Sequence, residues 1–107
     1  MFSPSKYGAR LSRIGLGAGL LLSGAALADP GRDLAWKYHC VTCHGENGRS
    51  TQARFPNIAG QNAPYLEARL RYFRDGVEHN NRMNGQAAPL SDEDITTLAG
   101  YFSRMPR

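Results

Sequence analysis

The sequence predicts an all-α domain built from three main helices, on three observations. Apolar residues recur at helical spacing in two stretches, Leu66–Leu70–Phe73 and Ile95–Leu98–Ala99–Phe102. Helix-start residues stand ahead of three segments, at Asp29-Pro30, at Asn62 with Pro64, and at Ser91. No stretch shows the two-residue alternation of a half-buried strand, and there is no internal repeat or low-complexity tract.

In chain order, residues 1–28 read as a cleaved secretory signal peptide and residues 29–107 as a single domain. Lys6, Arg10 and Arg13 form a positive n-region without an acidic residue, and a short apolar stretch runs from Ile14 to Leu27. Ala26-Leu27-Ala28 then fits the small-x-small cleavage rule. The apolar run is shorter than the ~20 residues a membrane span requires, which disfavours a permanent anchor. This segment holds three of the 13 basic residues, so ten remain against nine acidic ones, a formal charge of +1. Such a balance excludes a nucleic-acid-binding surface of the usual kind.

The first helix starts near Asp29 or Pro30, with aspartate as cap and proline in the first turn. It is expected to run into Cys40-Val41-Thr42-Cys43-His44. Trp36, Cys40 and Cys43 fall at i, i+4 and i+7, which places an aromatic ring on the cysteine face. Gly45 and Gly48 release the chain into a loop through Pro56 and Gly60. The second helix is capped by Asn62, carries Pro64 near its first turn and stops before Gly76. Glu67 and Arg71 make an i, i+4 pair on its outer side, and Arg69, Arg71 and Arg74 read as a solvated face. The segment from Gly76 to Leu90, rich in Asn, Gly and Gln, reads as a loop long enough to carry function. The third helix opens on Ser91-Asp92-Glu93-Asp94, a capping box in form. Tyr101 widens its apolar face. Gly100 costs about 1 kcal/mol relative to alanine in a helix interior, and either admits the first helix closely or is simply tolerated.

Cys40-Val41-Thr42-Cys43-His44 is a C-x-x-C-H motif, the signature of covalent attachment of a c-type haem. Two thiols one helical turn apart can both reach the vinyl groups on one porphyrin edge and form thioethers. The histidine that follows is carried under the ring, where its imidazole ligates the iron. Competing readings fare worse. A redox dithiol belongs in a βαβ context that this sequence lacks. A zinc site would need two more ligands, yet these are the only two cysteines and no His-x3-5-His pair exists. One covalently held haem also supplies the staple and the core centre that so short a domain needs.

His44 leaves a second axial position, for which Met83, Met105, His79 and His39 are the candidates. His39 is tied beside Cys40 and cannot reach the far side of the ring. Met105 is nearly terminal, where a methionine is more often packing. His79 competes, though an exposed loop histidine is its simpler reading. Met83 is favoured, because a loop can cross the distal face and because His/Met pairing is usual in such haems. The other ring nitrogen of His44 needs a partner, and the Pro56 carbonyl in the following loop can accept from it. For the haem propionates the candidates are Arg49, Arg54, Arg82, Gln61 and Tyr65. Around the haem edge, Gly85 to Pro89 carry no charge and Lys37 is the one lysine of residues 29–107, so a mostly neutral rim is expected.

The chain resembles a class I c-type cytochrome, similar to one half of the bacterial diheme cytochromes c of subclass four and to their short monohaem relatives. The matching residues are Cys40 to Gly45, Phe55-Pro56-Asn57-Ile58-Ala59-Gly60-Gln61, and Tyr65-Leu66 with Leu70 and Phe73. They continue with Gly76, Met83, Ala87, Leu90, Ser91 and Asp92, and end on Leu98 to Phe102. The resemblance implies the class I cytochrome c fold, with first and last helices crossing around one covalently bound haem c. It implies His44 and Met83 as axial ligands, the Pro56 carbonyl as partner of His44, and electron transfer as the activity. The departure is that this chain holds one such domain and not two.

The function expected from these readings is that of a periplasmic electron carrier and not an enzyme, since two axial ligands leave no position for substrate. Its partners would be a redox donor and acceptor, such as a quinol-oxidising complex, a terminal oxidase or a dehydrogenase, and its state a monomer or weak dimer. The alternatives are a haem subunit of a larger periplasmic dehydrogenase and, further behind, a haem-based sensor.

Overall fold

The computed structural model describes residues 28–107. The signal-peptide reading therefore falls, apart from Ala28, outside the described residues. Five helices follow one another: α1 (Pro30–Lys37), α2 (Cys40–His44), α3 (Ala63–Arg74), α4 (Arg82–Ala87) and α5 (Asp92–Ser103). Among the described residues there is no strand, and no helix is long and apolar enough to cross a membrane.

The helix starts follow their caps. Asp29 accepts from the Gly31 and Arg32 amides at 3.1 and 3.3 Å, with Pro30 opening α1. Ser91 and Asp94 form a reciprocal capping box at the head of α5. Asn62 precedes α3 in extended conformation but makes no side-chain capping bond, so Pro64 carries that start.

The first helix does not run through the cysteine motif. His39 adopts the left-handed conformation, φ 62°, and separates α1 from α2. The break rotates the helical register, and Trp36, expected on the cysteine face, is instead 46% exposed. Tyr38 takes the inner position, against the core. The second departure is α4, a helix inside the stretch expected to be a loop. Asn81 caps it, accepting from the Met83 amide at 2.8 Å, and Asn84 closes the box by accepting from the Asn81 amide at 2.9 Å.

α5 is the spine of the domain. Ile95, Leu98, Ala99 and Phe102 are buried along it, and α1 and α3 both pack against it, while α4 packs on α3. α3 is also pinned by charge. Arg71 pairs with Glu67 and with Asp92, and Arg74 bonds Asp75, Asp92 and the Leu90 carbonyl. Arg71 and Arg74 are thus ion-paired to the start of α5, and Arg69 pairs with Glu78, so the three do not form a plain solvated face.

The glycine that admits the close helix approach is Gly31, not Gly100. A Cβ on Gly31 would lie 2.4 Å from the Tyr101 Cβ, where α1 meets α5. One on Gly100 would meet only the flexible tip of Arg104 at 3.1 Å. Gly31→Ala is therefore expected to lower stability by about 1–3 kcal/mol through overpacking. Gly100→Ala is expected to raise it by up to about 1 kcal/mol through helix propensity. Denaturant unfolding of the two variants checks the opposite signs.

Candidate functional site

The described core encloses one large cavity of about 530 Å³, within the roughly 300–1,000 Å³ range of cofactor sites. Its walls are mainly apolar. Leu66, Leu70 and Phe73 come from α3, and Leu98 and Phe102 from α5. The α3 stripe that reads as a packing face in sequence is thus the lining of a ligand chamber. Cys40, Cys43 and His44 enter the cavity from α2, Pro56 and Gln61 from the loop after it, Tyr65 from α3 and Met83 from α4.

His44 is the one buried polar residue in the described core, at 8% exposure. Its Nδ1 lies 2.8 Å from the Pro56 carbonyl oxygen, so Nδ1–H donates and Nε2 keeps its lone pair for a metal. The loop that presents this carbonyl is fixed at both ends. Gly45 ends α2 at φ 85°, and a Cβ there would lie 2.2 Å from the Arg49 carbonyl oxygen, so only glycine fits. Further along, the Ile58 and Ala59 amides donate to the Gly48 carbonyl at 2.8 and 3.0 Å, and the Gly60 amide donates to Phe102 at 3.0 Å. The proximal loop is therefore laced to itself and to α5.

Both cysteines are half-buried. Burial, with a lesser contribution from nearby Cys43, pushes the Cys40 thiol up to about 11. Reactive dithiols show the reverse, a lowered value. The described residues also contain no cluster of three or more His, Cys, Asp or Glu placed to hold a bare metal ion. The donor set fits a haem instead, with two thiols, one oriented imidazole and one thioether around an apolar chamber.

The other sixth-ligand candidates lie elsewhere. His79 is exposed and outside the cavity lining, and Met105 packs against the core at the end of α5. His39 borders the cavity beside Cys40. Among the propionate candidates, Arg54, Arg82, Gln61 and Tyr65 line the cavity, whereas Arg49 faces a separate small recess with Asn57 and Arg107. Three arginines border the cavity. Arg54 and Arg82 both stack on Phe55, at 5.0 and 5.7 Å from its ring centre, and Arg69 stacks on Phe73 at 4.8 Å while pairing with Glu78. Arg69 had no sequence signal for this position beyond falling between Leu66 and Phe73.

This is a small helical domain organised around a C-x-x-C-H cofactor chamber. Comparison with known proteins gives it a family. Residues 28–105 match the family model described as Cytochrome c, and the chain belongs to that family. That family is one of electron-transfer proteins, and its cofactor is covalently bound haem c. The chain is 43% identical over 67 residues to a thiosulfate dehydrogenase electron acceptor of Thiomonas intermedia (strain K12), covering 62% of this chain and 31% of that one. It is 42% identical over 67 residues to cytochrome c-554(548) of Halomonas halodenitrificans, covering 60% of this chain and 81% of that one. Among solved structures, reduced recombinant cytochrome c4 from Pseudomonas stutzeri superposes with a TM-score of 0.66 at 33% identity, over 74% of this chain and 48% of that one. The chain thus spans about a third of the first relative and about half of the solved one, in keeping with a resemblance to one of two domains.

Proposed function

We propose that the protein is a periplasmic monohaem carrier that passes single electrons between a redox donor and acceptor, with His44 and Met83 as axial ligands of the haem iron. The observation that carries this reading is the single apolar cavity shared by Cys40, Cys43, buried His44 and Met83. Cys40 and Cys43 hold the cofactor as thioethers. Bound haem supplies a one-electron couple at its iron. The Pro56 carbonyl fixes the His44 ring and raises its basicity as a ligand. The Met83 thioether favours the reduced metal, and the apolar walls disfavour the extra positive charge of the oxidised one. Arg54 and Arg82, with Gln61 and Tyr65, are the side chains placed to meet the propionates. Two axial ligands leave no position for a substrate, so the protein acts as a carrier and not as an enzyme. Export follows from residues 1–28 acting as a cleaved signal peptide, which leaves residues 29–107 as the cytochrome domain.

A second reading, a haem subunit of a larger periplasmic dehydrogenase, draws support from the relative whose name makes it the electron acceptor of a thiosulfate dehydrogenase. Size-exclusion chromatography of the protein from its native periplasm separates the two. A carrier elutes as a monomer or weak dimer, a subunit with stoichiometric partners. The ligation itself is tested by spectra of the purified protein. The ferrous form is expected to bind carbon monoxide negligibly over minutes, because both positions are filled. Rapid, stoichiometric binding by the native protein would overturn the carrier reading in favour of a sensor.

A further inference from the structure

We propose that Asn84 is a positioning residue for the haem ligand. Its side-chain amide seats α4 against the end of α3 and so sets how firmly Met83 is held in the cavity. This rests on the reading of Met83 as the axial ligand.

The Asn84 amide is engaged at both ends. Nδ2 donates to the Phe73 carbonyl at 2.8 Å and to the Glu78 carbonyl at 2.6 Å, while Oδ1 accepts from the Asn81 amide at 2.9 Å. Two carbonyls on one side and one N–H on the other fix the amide's orientation without ambiguity. The three partners belong to three places: the last turn of α3, the turn after it, and the cap of α4. One side chain therefore links α4 to the end of α3, to the turn after it and to its own cap. α4 needs such a tie, because it is six residues long and includes Asn84 and Gly85, both poor helix formers. Its buried apolar anchor is Ala87.

The tie also reaches the cavity wall. Glu78, whose carbonyl accepts from Asn84, pairs through its carboxylate with Arg69, and Arg69 lines the cavity over the Phe73 ring. Met83 immediately precedes Asn84, and its own amide donates to the Asn81 side chain. Without the Asn84 amide, two carbonyls lose their donor, and α4 keeps only Ala87 and the Asn81 half of its cap. Local opening of α4 then withdraws Met83 while α1, α3 and α5 stay packed.

The test uses the holoprotein. Asn84→Ala and Asn84→Leu remove the amide, the second keeping the side chain's bulk. Two quantities are read: the temperature at which the near-red band of thioether-ligated ferric haem disappears, against global unfolding followed by helical circular dichroism; and the rate of carbon monoxide binding to the ferrous form. Both variants are expected to lose the band well below the global transition. Both should bind carbon monoxide faster, on the order of tenfold or more, as the population of opened α4 rises. Ser91→Ala, which removes the cap of α5, is the control. It should lower the global transition while the band persists up to it and carbon monoxide binding stays slow. If Asn84→Ala does not assemble with haem, Asn84→Ser is read in the same way. Band loss coincident with global unfolding and an unchanged carbon monoxide rate in the Asn84 variants would overturn the proposal while leaving Met83 as ligand. A band that survives Met83→Ala overturns the ligand reading, and the proposal with it.

Discussion

Replacing both Cys40 and Cys43 by alanine is expected to leave the protein without covalent haem and largely unfolded. The reason lies in what the cavity removes from the core. Among the described residues only Ile95 and Leu98 are large side chains with essentially no exposure, and much of the remaining apolar surface faces the chamber. Left empty and dry, so large an apolar chamber would strip its lining of packing contacts and cost a large part of the domain's stability. Small domains have only about 5–15 kcal/mol of stability in all. Flooding the chamber offers no escape, because water would then wet Leu66, Leu70, Phe73 and Phe102. Collapse onto the space would have to pull α3 away from α5. Acid-acetone extraction should therefore release any residual haem from the variant and none from the wild type. Circular dichroism should show most of the helical signal lost. Full helical content without haem would refute this account of the core.

Much of the fold was legible because its signals are local. Asp29 with Pro30, Pro64, Gly76 and Ser91 with Asp94 each act within one turn of their own position, and the helix limits follow them closely. The cofactor was legible for the same reason, as five consecutive residues carry its attachment chemistry. What escaped depends on distant partners or on an unusual backbone. α4 was hidden because its box uses Asn84 where the usual motif has Glu or Gln, and because two of the bonds holding it go to Phe73 and Glu78. Trp36 was misplaced because a left-handed non-glycine residue, His39, breaks the register, and nothing in the sequence marks that residue as left-handed. Gly31 outranks Gly100 only through Tyr101, a residue 70 positions away that lies in the last helix. The position of Arg69 at the cavity likewise required knowing that the α3 stripe lines a chamber as well as packing on α5.

Met83→Ala is expected to abolish the near-red band of the ferric protein, lower the reduction potential and open the ferrous iron to carbon monoxide. Three features of the site set this expectation. His44 is buried and oriented through the Pro56 carbonyl, so it remains bound when the other ligand is lost. The alternative donors are poorly placed to replace Met83. His79 is exposed outside the cavity, Met105 is packed at the end of α5, and His39 sits in the turn that leads into Cys40. Water is then the available sixth ligand, and an oxygen donor stabilises oxidised iron where the thioether stabilised reduced iron. The fall in potential should be on the order of 100 mV, a modest part of the ~0.8 V that axial ligands span across haem proteins. The fold should survive, because Met83 is only half-buried and the thioethers at Cys40 and Cys43 keep the chamber filled. Helical circular dichroism close to wild type, with the band gone and carbon monoxide bound, is therefore the expected combination. Persistence of the band in Met83→Ala, with its loss in Met105→Ala or His79→Ala instead, would move the ligand to that residue and would require the segment carrying it to reach the haem by a path different from the one α4 takes.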